Sequence, residues 1–278
     1  MKTWEETIMY IRTQPEYKDL VEKAYFEEDL VLNVERFRNG TEFLETLNLI
    51  NKIKGKAKSI LDVGCGNGIS CISFALKGYD VTAVEPDPSD TIGTGAIRKL
   101  IEHYKLKNIA VYESNAEDIG FKNASFDIVY VRQAMHHAKD LDKFIFECAR
   151  VLKNGGLLLT VRDHVIFDEE DKMQFLETHP LQKFYGGENA FTSQQYQNAM
   201  TKAGLKIRKV MKTFDSEINY FPLTRSNIAK SKIKKKIGTF ISNVFPFTVS
   251  NEFKSEISDL LNEKVHFGRM YSYLAVKA

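Results

Sequence analysis

Residues Ile60-Leu61-Asp62-Val63-Gly64-Cys65-Gly66-Asn67-Gly68 limit most tightly what this chain can fold into. Ile60 to Val63 read as a short buried strand. Three glycines at alternate positions then form a turn, and Ile69, Ile72, Phe74 and Ala75 follow in an apolar helical pattern. A glycine-rich turn from strand to helix has no Cβ to hold a ligand away from its backbone N–H groups. The spacing is Gly-x-Gly-x-Gly. The dinucleotide pattern needs a glycine where Ile69 stands, and it does not call for an acid at Asp62. The Gly-Lys-Ser/Thr ending of a phosphate loop is absent.

Strand and helix signals alternate downstream. Strands are expected at 59–63, 80–84, 109–112, 126–131 and 157–161, and helices at about 68–77, 91–104 and 140–152. Asn154-Gly155-Gly156 is expected to stop the last of these helices. Buried strands alternating with helices imply a parallel sheet covered on both faces. Ligands of such sheets sit at the carboxyl ends of the strands, near the switch in strand order. Residues 1–55 read as helices, with Leu20, Val21, Ala24 and Tyr25, then Phe43, Leu44, Leu47 and Ile50, at three-to-four spacing. After strand five come a polar and aromatic insert at 162–190, a helix at 192–203 and a strand at 205–214. A second insert at 215–267 and a last strand at 270–277 follow.

Composition narrows the function. Hydrophobic residues make up 43% and charged residues 27% of 278, and the net charge is +2, with no polyelectrolyte signal over the whole chain. Three cysteines without CxxC spacing argue against a disulfide framework or a zinc cluster, so no metal site is expected and a reducing, cytoplasmic setting is. The N-terminus lacks the apolar region of a signal peptide, and no apolar run reaches about 18 residues. From Ile218 to Asn251 there is no Asp or Glu. Arg225, Lys230, Lys232 and Lys234 to Lys236 fall there, with Ile233, Ile237, Phe240, Ile241 and Val244 at helical spacing. A basic amphipathic helix over 225–245 fits a lid over the substrate, a peripheral membrane or lipid-like contact, or nucleic acid. The near-zero net charge argues against nucleic acid.

The glycine turn resembles motif I of the class I methyltransferases that use S-adenosylmethionine. It looks most like the branch that includes ubiquinone and menaquinone biosynthesis enzymes. The resemblance covers about 58–165, more weakly to 214 and at 268–278; residues 1–50 and 215–267 match nothing and are expected to choose the substrate. It implies that Asp62, Gly64, Gly66 and Gly68 wrap the amino-acid end and ribose of the cofactor. Glu85, 17 residues after Gly68 at the end of strand two, offers a ribose diol two acceptor oxygens. Ser114 to Phe121 looks like the family's adenine-binding segment, with Asn115 in place of the usual acid, Ala116 supplying the next backbone N–H, and Glu117 as an alternative acceptor. Arg132 is placed under the cofactor or at its methionine end. The family often has a paired histidine where His136 and His137 stand, and either can take a proton from an acceptor hydroxyl. On a helix these neighbours point about 100° apart, so only one is expected to face the pocket. Arg150 to Gly156 resembles the family's Arg-Val-Leu-Lys-Pro-Gly-Gly turn, with Asn154 replacing Pro. His164, just past strand five, is a second base candidate. In the first insert, Phe184-Tyr185-Gly186-Gly187-Glu188-Asn189 reads as a site for a polar small molecule or as a self-packed loop.

The expected fold is α/β, a doubly wound, mostly parallel seven-stranded sheet with helices on both faces and an antiparallel final pair of strands. Residues 1–55 form a helical lid, 56–214 with 268–278 the core, and 215–267 a basic helical insert. Both inserts overhang the active site. The expected activity is SN2 methyl transfer from S-adenosyl-L-methionine to O, N or C of a small-molecule acceptor. A nicotinamide-dependent oxidoreductase, or a non-enzymatic cofactor-binding or membrane-associated protein, is the alternative.

Overall fold

The computed structural model describes residues 1–220, Pro222 and 269–278. The basic helix expected at 225–245, and the 215–267 insert beyond its first residues and Pro222, lie outside the described residues. The strands are β1 (Ser59–Val63), β2 (Asp80–Val84), β3 (Ile109–Tyr112), β4 (Phe126–Arg132), β5 (Leu152–Ile166), β6 (Phe191–Thr192), β7 (Leu205–Met211) and β8 (Met270–Lys277). The helices ahead of the sheet are α1 (Trp4–Arg12), α2 (Lys18–Lys23), α3 (Leu30–Asn39) and α4 (Thr41–Lys54). Within and after it come α5 (Ile69–Leu76), α6 (Thr94–Tyr104), α7 (Leu141–Val151), α8 (Glu169–Thr178), α9 (Gln182–Tyr185), α10 (Ser193–Lys202) and α11 (Glu217–Tyr220).

Seven strands lie in the order β3-β2-β1-β4-β5-β8-β7, and the two-residue β6 pairs with the end of β5 off this path. Only β8 runs antiparallel to its neighbours, so the mostly parallel sheet with an antiparallel edge pair matches the expectation. The order reverses between β1 and β4. The glycine turn after β1 and the His136 turn after β4 therefore flank the switch point, where a doubly wound sheet binds its ligand.

Alternate strand residues feed two cores. Leu61, Val63, Val129, Val131 and Leu158 pack with α7 and α10 on one face. Ile60, Ile128, Tyr130, Leu157 and Leu159 pack on the other with Phe74 of α5, Leu100 of α6, Phe37 of α3, and Phe43 and Ile50 of α4. The period-two alternation of a strand and the apolar runs of the sequence thus give a sheet buried on both sides. Helices α3 and α4 belong to this core. Helix α1 instead joins a separate cluster, with Ile8 and Ile11 against Ile92 and Leu181. Just ahead of α1, Lys2 N donates to Phe184 O at 2.9 Å, so the N-terminus and the 162–190 segment cover one another.

Three local expectations need correction. The helix α7 ends at Val151, before Asn154-Gly155-Gly156, and those residues lie inside β5. They form an irregularity in the pairing with β4, where Phe126 meets Leu152 but Ile128 meets Leu157. Gly156 is needed there because an added Cβ would lie 2.7 Å from Lys153 O. Second, β5 runs on through Ile166, so residues 162–166 are strand, not insert. Its pairing with β8 shifts between Thr160 and Asp163, and Arg162 sits at φ +60°. Such a bulge re-aims the side chains that follow it, here Asp163 and His164. Third, the histidine pair sits on a 3₁₀ turn, Met135–His137. The rings of His136 and His137 lie 4.1 Å apart, so they share one place rather than diverging.

Candidate active site

The three glycines of the turn are needed for three different reasons. A Cβ on Gly64 would stand 2.5 Å from Ala134 Cβ, so this glycine lets the turn after β4 press against the loop. A Cβ on Gly68 would meet Ile97 Cγ1 of α6 at 2.9 Å. At Gly66 the nearest atom to an added Cβ is Ile92 O at 3.9 Å, so the space beside it is open. All three have positive φ, which glycine adopts without strain. Gly66 is therefore the position where a ligand can approach the backbone, and the N-terminus of α5 lies just beyond it.

Glu85 closes the loop from the side of β2. Its Oε2 accepts from Gly66 N at 2.8 Å and its Oε1 from Asp87 N at 3.0 Å. Burial pushes its carboxyl up to about 7, against the pull of those two backbone donors. Asp62 lies beneath the loop with no exposed surface. Its Oδ2 accepts from Ser70 Oγ at 2.6 Å, while Oδ1 is a buried acceptor without a hydrogen bond among the described residues. Burial raises this carboxyl too, to about 7, with the Ser70 hydrogen bond and the Arg132 charge opposing. An open backbone cradle, a two-oxygen acceptor on its rim and an orphaned acceptor below fit an adenosyl cofactor with an amino-acid tail.

The adenine-side residues divide. Glu117 Oε1 accepts from Lys139 N at 3.0 Å, which ties this segment to the turn before α7. Asn115 is exposed, and its backbone carbonyl accepts from Asp118 N at 3.1 Å in a tight turn that also holds Ala116. Arg132 points its guanidinium at α4, where Glu42 accepts from Nε at 2.6 Å and from Nη2 at 3.1 Å. Arg162 Nη1 lies 3.7 Å from the same carboxylate. The Arg132 guanidinium also stacks over Phe37 at 5.3 Å and Tyr25 at 5.6 Å.

The three histidine candidates come together. His136 is 2% exposed, and its backbone N–H donates to Asp163 Oδ1 at 3.2 Å. Its ring Nδ1 lies 3.1 Å from the same oxygen. Burial, reinforced by the neighbouring histidines, holds its imidazole neutral at ordinary pH, and burial pushes Asp163 up to about 8. His137 is exposed, with Nδ1 3.0 Å from Gly187 O. His164 packs edge-on to His136 at 4.8 Å and is held down to about 3, again chiefly by burial.

Several residues here escaped the sequence reading. Glu42 occupies the same helical stripe as buried Thr46 and Ile50, and a charged residue at that period was the available signal. Asn67, inside the glycine turn, donates from Nδ2 to Tyr25 O at 2.7 Å and so fastens the N-terminal layer to the loop. Tyr25 itself sits at φ +60°, and no sequence pattern marks that.

Comparison with known proteins points to the same fold. A family model described as "Methyltransferase domain" matches residues 61–160. The chain is 31% identical over 143 residues to the uncharacterized methyltransferase YcgJ of Bacillus subtilis, covering 48% of this chain and 52% of that protein. It is 27% identical over 160 residues to a ubiquinone biosynthesis O-methyltransferase of Rhizobium leguminosarum, covering 53% and 59%. The chain thus spans about half the length of these curated relatives. Among solved structures, a putative methyltransferase from Bacillus halodurans shares the fold with TM-score 0.53 at 24% identity, covering 84% of this chain and 94% of that one. Geranyl diphosphate C-methyltransferase from Streptomyces coelicolor does so with TM-score 0.58 at 13% identity, covering 84% and 76%. The family match begins at Leu61 in β1 and takes in the glycine turn, Glu85 and the His136 turn, so over residues 61–160 the chain is similar to the methyltransferase domain.

Proposed function

We propose that this chain transfers the methyl group of S-adenosylmethionine to a nucleophilic O, N or C atom of a small-molecule acceptor. The observation that carries the reading is the clasp between Glu85 and Gly66 N at 2.8 Å, across a loop whose middle glycine faces open space. The cofactor supplies an electrophilic methyl group on a sulfonium. The protein's part is positioning and the exclusion of water. In this reading Glu85 accepts from the ribose hydroxyls, the Ala116 N–H donates to the adenine ring and Asn115 accepts from its amino group. With Glu117 engaged on Lys139 N, Asn115 is the better acceptor of the two. Gly64, Gly66, Gly68 and Asp62 receive the ribose and amino-acid end. Arg132, bound to Glu42, contributes its field at Asp62 rather than a direct contact.

For a hydroxyl acceptor, His136 takes the proton at Nε2 while Asp163 steadies the Nδ1 side. Neutral imidazole is the competent form, and burial maintains it. His137 and His164 line the same spot. The cover formed by α1, α2 and the segment through α9 shuts out water, with Trp4 packed 4.7 Å from Tyr185.

Calorimetric titration of purified protein with S-adenosylhomocysteine tests the reading, and no detectable heat would overturn it. The nicotinamide alternative loses support because Ile69, where its third glycine belongs, is buried in the first turn of α5. A protein that binds the cofactor without transferring methyl remains a second reading, since one fold relative is the [4+2]-cyclase SpnF, at TM-score 0.55 and 16% identity. Cofactor binding without turnover across hydroxyl, amine and acidic-carbon acceptors would favour it.

A further inference from the structure

Four histidines and one glutamate gather beneath the α1/α9 cover, although the sequence reading expects no metal. His136 and His137 rings are 4.1 Å apart, His136 and His164 are 4.8 Å apart, and His164 and His179 are 5.7 Å apart. In the first two rings Nδ1 already faces an acceptor, Asp163 Oδ1 at 3.1 Å for His136 and Gly187 O at 3.0 Å for His137. An imidazole whose Nδ1–H is held by a carboxylate or carbonyl keeps its Nε2 lone pair for a metal, and metal-binding histidines are oriented this way. The His136 Nε2 stands 3.8 Å from Glu188 Oε2. One ligand atom from each of His136, His137 and Glu188 lies within 4.8 Å of the others.

The surroundings add a second, independent observation. Glu188 is 8% exposed, and its Oε1 accepts from Tyr185 OH at 2.6 Å, which fixes the carboxylate. The Nδ1 atoms of His164 and His179 are buried and make no hydrogen bond among the described residues, the latter 3.4 Å from Glu188 Oε1. Unpaired buried ring nitrogens call for a partner. The cluster is also open on one side, because His137 is exposed.

We propose that His136, His137 and Glu188 bind a divalent transition-metal ion, with His179 within reach as a further ligand. Two imidazoles and a carboxylate select Zn²⁺ or Fe²⁺ over Mg²⁺ or Ca²⁺, which prefer oxygen ligands throughout. Metal–nitrogen bonds of about 2.0–2.1 Å place tetrahedral donors about 3.3 Å apart. The present spacing, at most 4.8 Å, therefore closes by up to roughly 1.5 Å through side-chain rotation. Three protein ligands leave a coordination position open. On the methyltransferase reading above, that position takes an oxygen or sulfur atom of the acceptor; with the ion bound, His136 Nε2 is a ligand rather than the base, and the metal's charge lowers the pKa of the acceptor's hydroxyl or thiol in its place. The acceptor class is then a metal-binding hydroxyl or thiol compound.

The test uses the tag-free full chain, stripped with chelator and titrated with ZnCl₂ by calorimetry, then with CoCl₂ while recording the visible spectrum. The expected result is a single Zn²⁺ per chain and the ligand-field bands of an N/O-ligated Co²⁺. His137→Ala and Glu188→Gln should each weaken Zn²⁺ binding about tenfold or more. If Glu188→Gln fails to fold by circular dichroism, the exposed His137→Ala carries the test. No Zn²⁺ uptake by the wild-type chain, or uptake undiminished in His137→Ala, overturns the proposal. S-adenosylhomocysteine binding is measured on the same samples. Homocysteine-ligand binding without Zn²⁺ sinks the metal site alone, and Zn²⁺ without that ligand supports the site while sinking the methyltransferase reading.

Discussion

Affinity for S-adenosylhomocysteine should rise about tenfold between pH 6 and pH 8, with Glu85 responsible. Burial places its carboxyl at about 7. A group with that value is about nine-tenths protonated at pH 6 and about one-tenth at pH 8. Ribose hydroxyls donate to the carboxylate, so binding selects the ionised form. At pH 6 the proton must first leave, which costs about 1.4 kcal/mol, the equivalent of one pH unit. Folding stability has the opposite slope. The folded chain keeps a proton on Glu85 that the unfolded chain releases near 4.5. The contribution of this group to stability is therefore largest at low pH and is lost as pH climbs through the window toward 7. Asp62 is also raised to about 7 and titrates in the same range, so a control is needed. Glu85→Gln removes the ionisable group while keeping its shape. It should flatten the Glu85 part of the profile and weaken binding at pH 8 by about 1.5–3 kcal/mol, the scale of a charged hydrogen bond. Titration calorimetry from pH 6 to 8 on both proteins decides. A flat wild-type profile, or an unchanged slope in Glu85→Gln, refutes the reasoning.

Other outcomes follow from the same geometry. Gly66→Ala should cost the fold only about 1–2 kcal/mol of left-handed strain, yet weaken cofactor binding tenfold or more, by roughly 1.4 kcal/mol, because its methyl enters the cradle. Gly64→Ala, whose Cβ meets Ala134 Cβ at 2.5 Å, should instead lower stability by about 2–4 kcal/mol in urea unfolding. Equal effects on binding and stability in the two variants would contradict the assignment of Gly66 to the ligand. Glu42→Gln leaves the Arg132 guanidinium buried without its ionic partner and should cost about 3–5 kcal/mol in denaturant unfolding. A loss below about 1 kcal/mol would mean that Arg162 and the aromatic rings suffice. On a hydroxyl acceptor, His136→Asn should cut turnover about 100-fold with S-adenosylhomocysteine affinity retained. A normal rate would leave positioning as the mechanism.

The strands were legible because they are short and apolar, with local stops: β1, β2, β3 and β8 start and end where the pattern of Ser59–Val63, Asp80–Val84, Ile109–Tyr112 and Met270–Lys277 says. The misjudged elements depend on partners. The apparent helix stop at Asn154-Gly155-Gly156 is absorbed into β5 because β4 lies beside it, and pairing resumes at Leu157. The extension of β5 to Ile166 rests on β8, more than a hundred residues later, which supplies Tyr271 and Met270 opposite Asp163 and His164. Pairing energy of that kind leaves no trace in a local window.

The same division runs through the site. The chain's own order of residues determined the glycine turn, the acid that ends β2 and the alternation that builds a two-sided parallel sheet, since each rests on backbone freedom or on periodicity within a few residues. Tertiary structure alone decided that Glu42 meets Arg132, that Asn67 meets Tyr25, and that Glu188 meets His136 across some fifty positions. Those meetings depend on how layers close over the strand ends. Buried charge and ring nitrogens find their partners only after the apolar faces have packed.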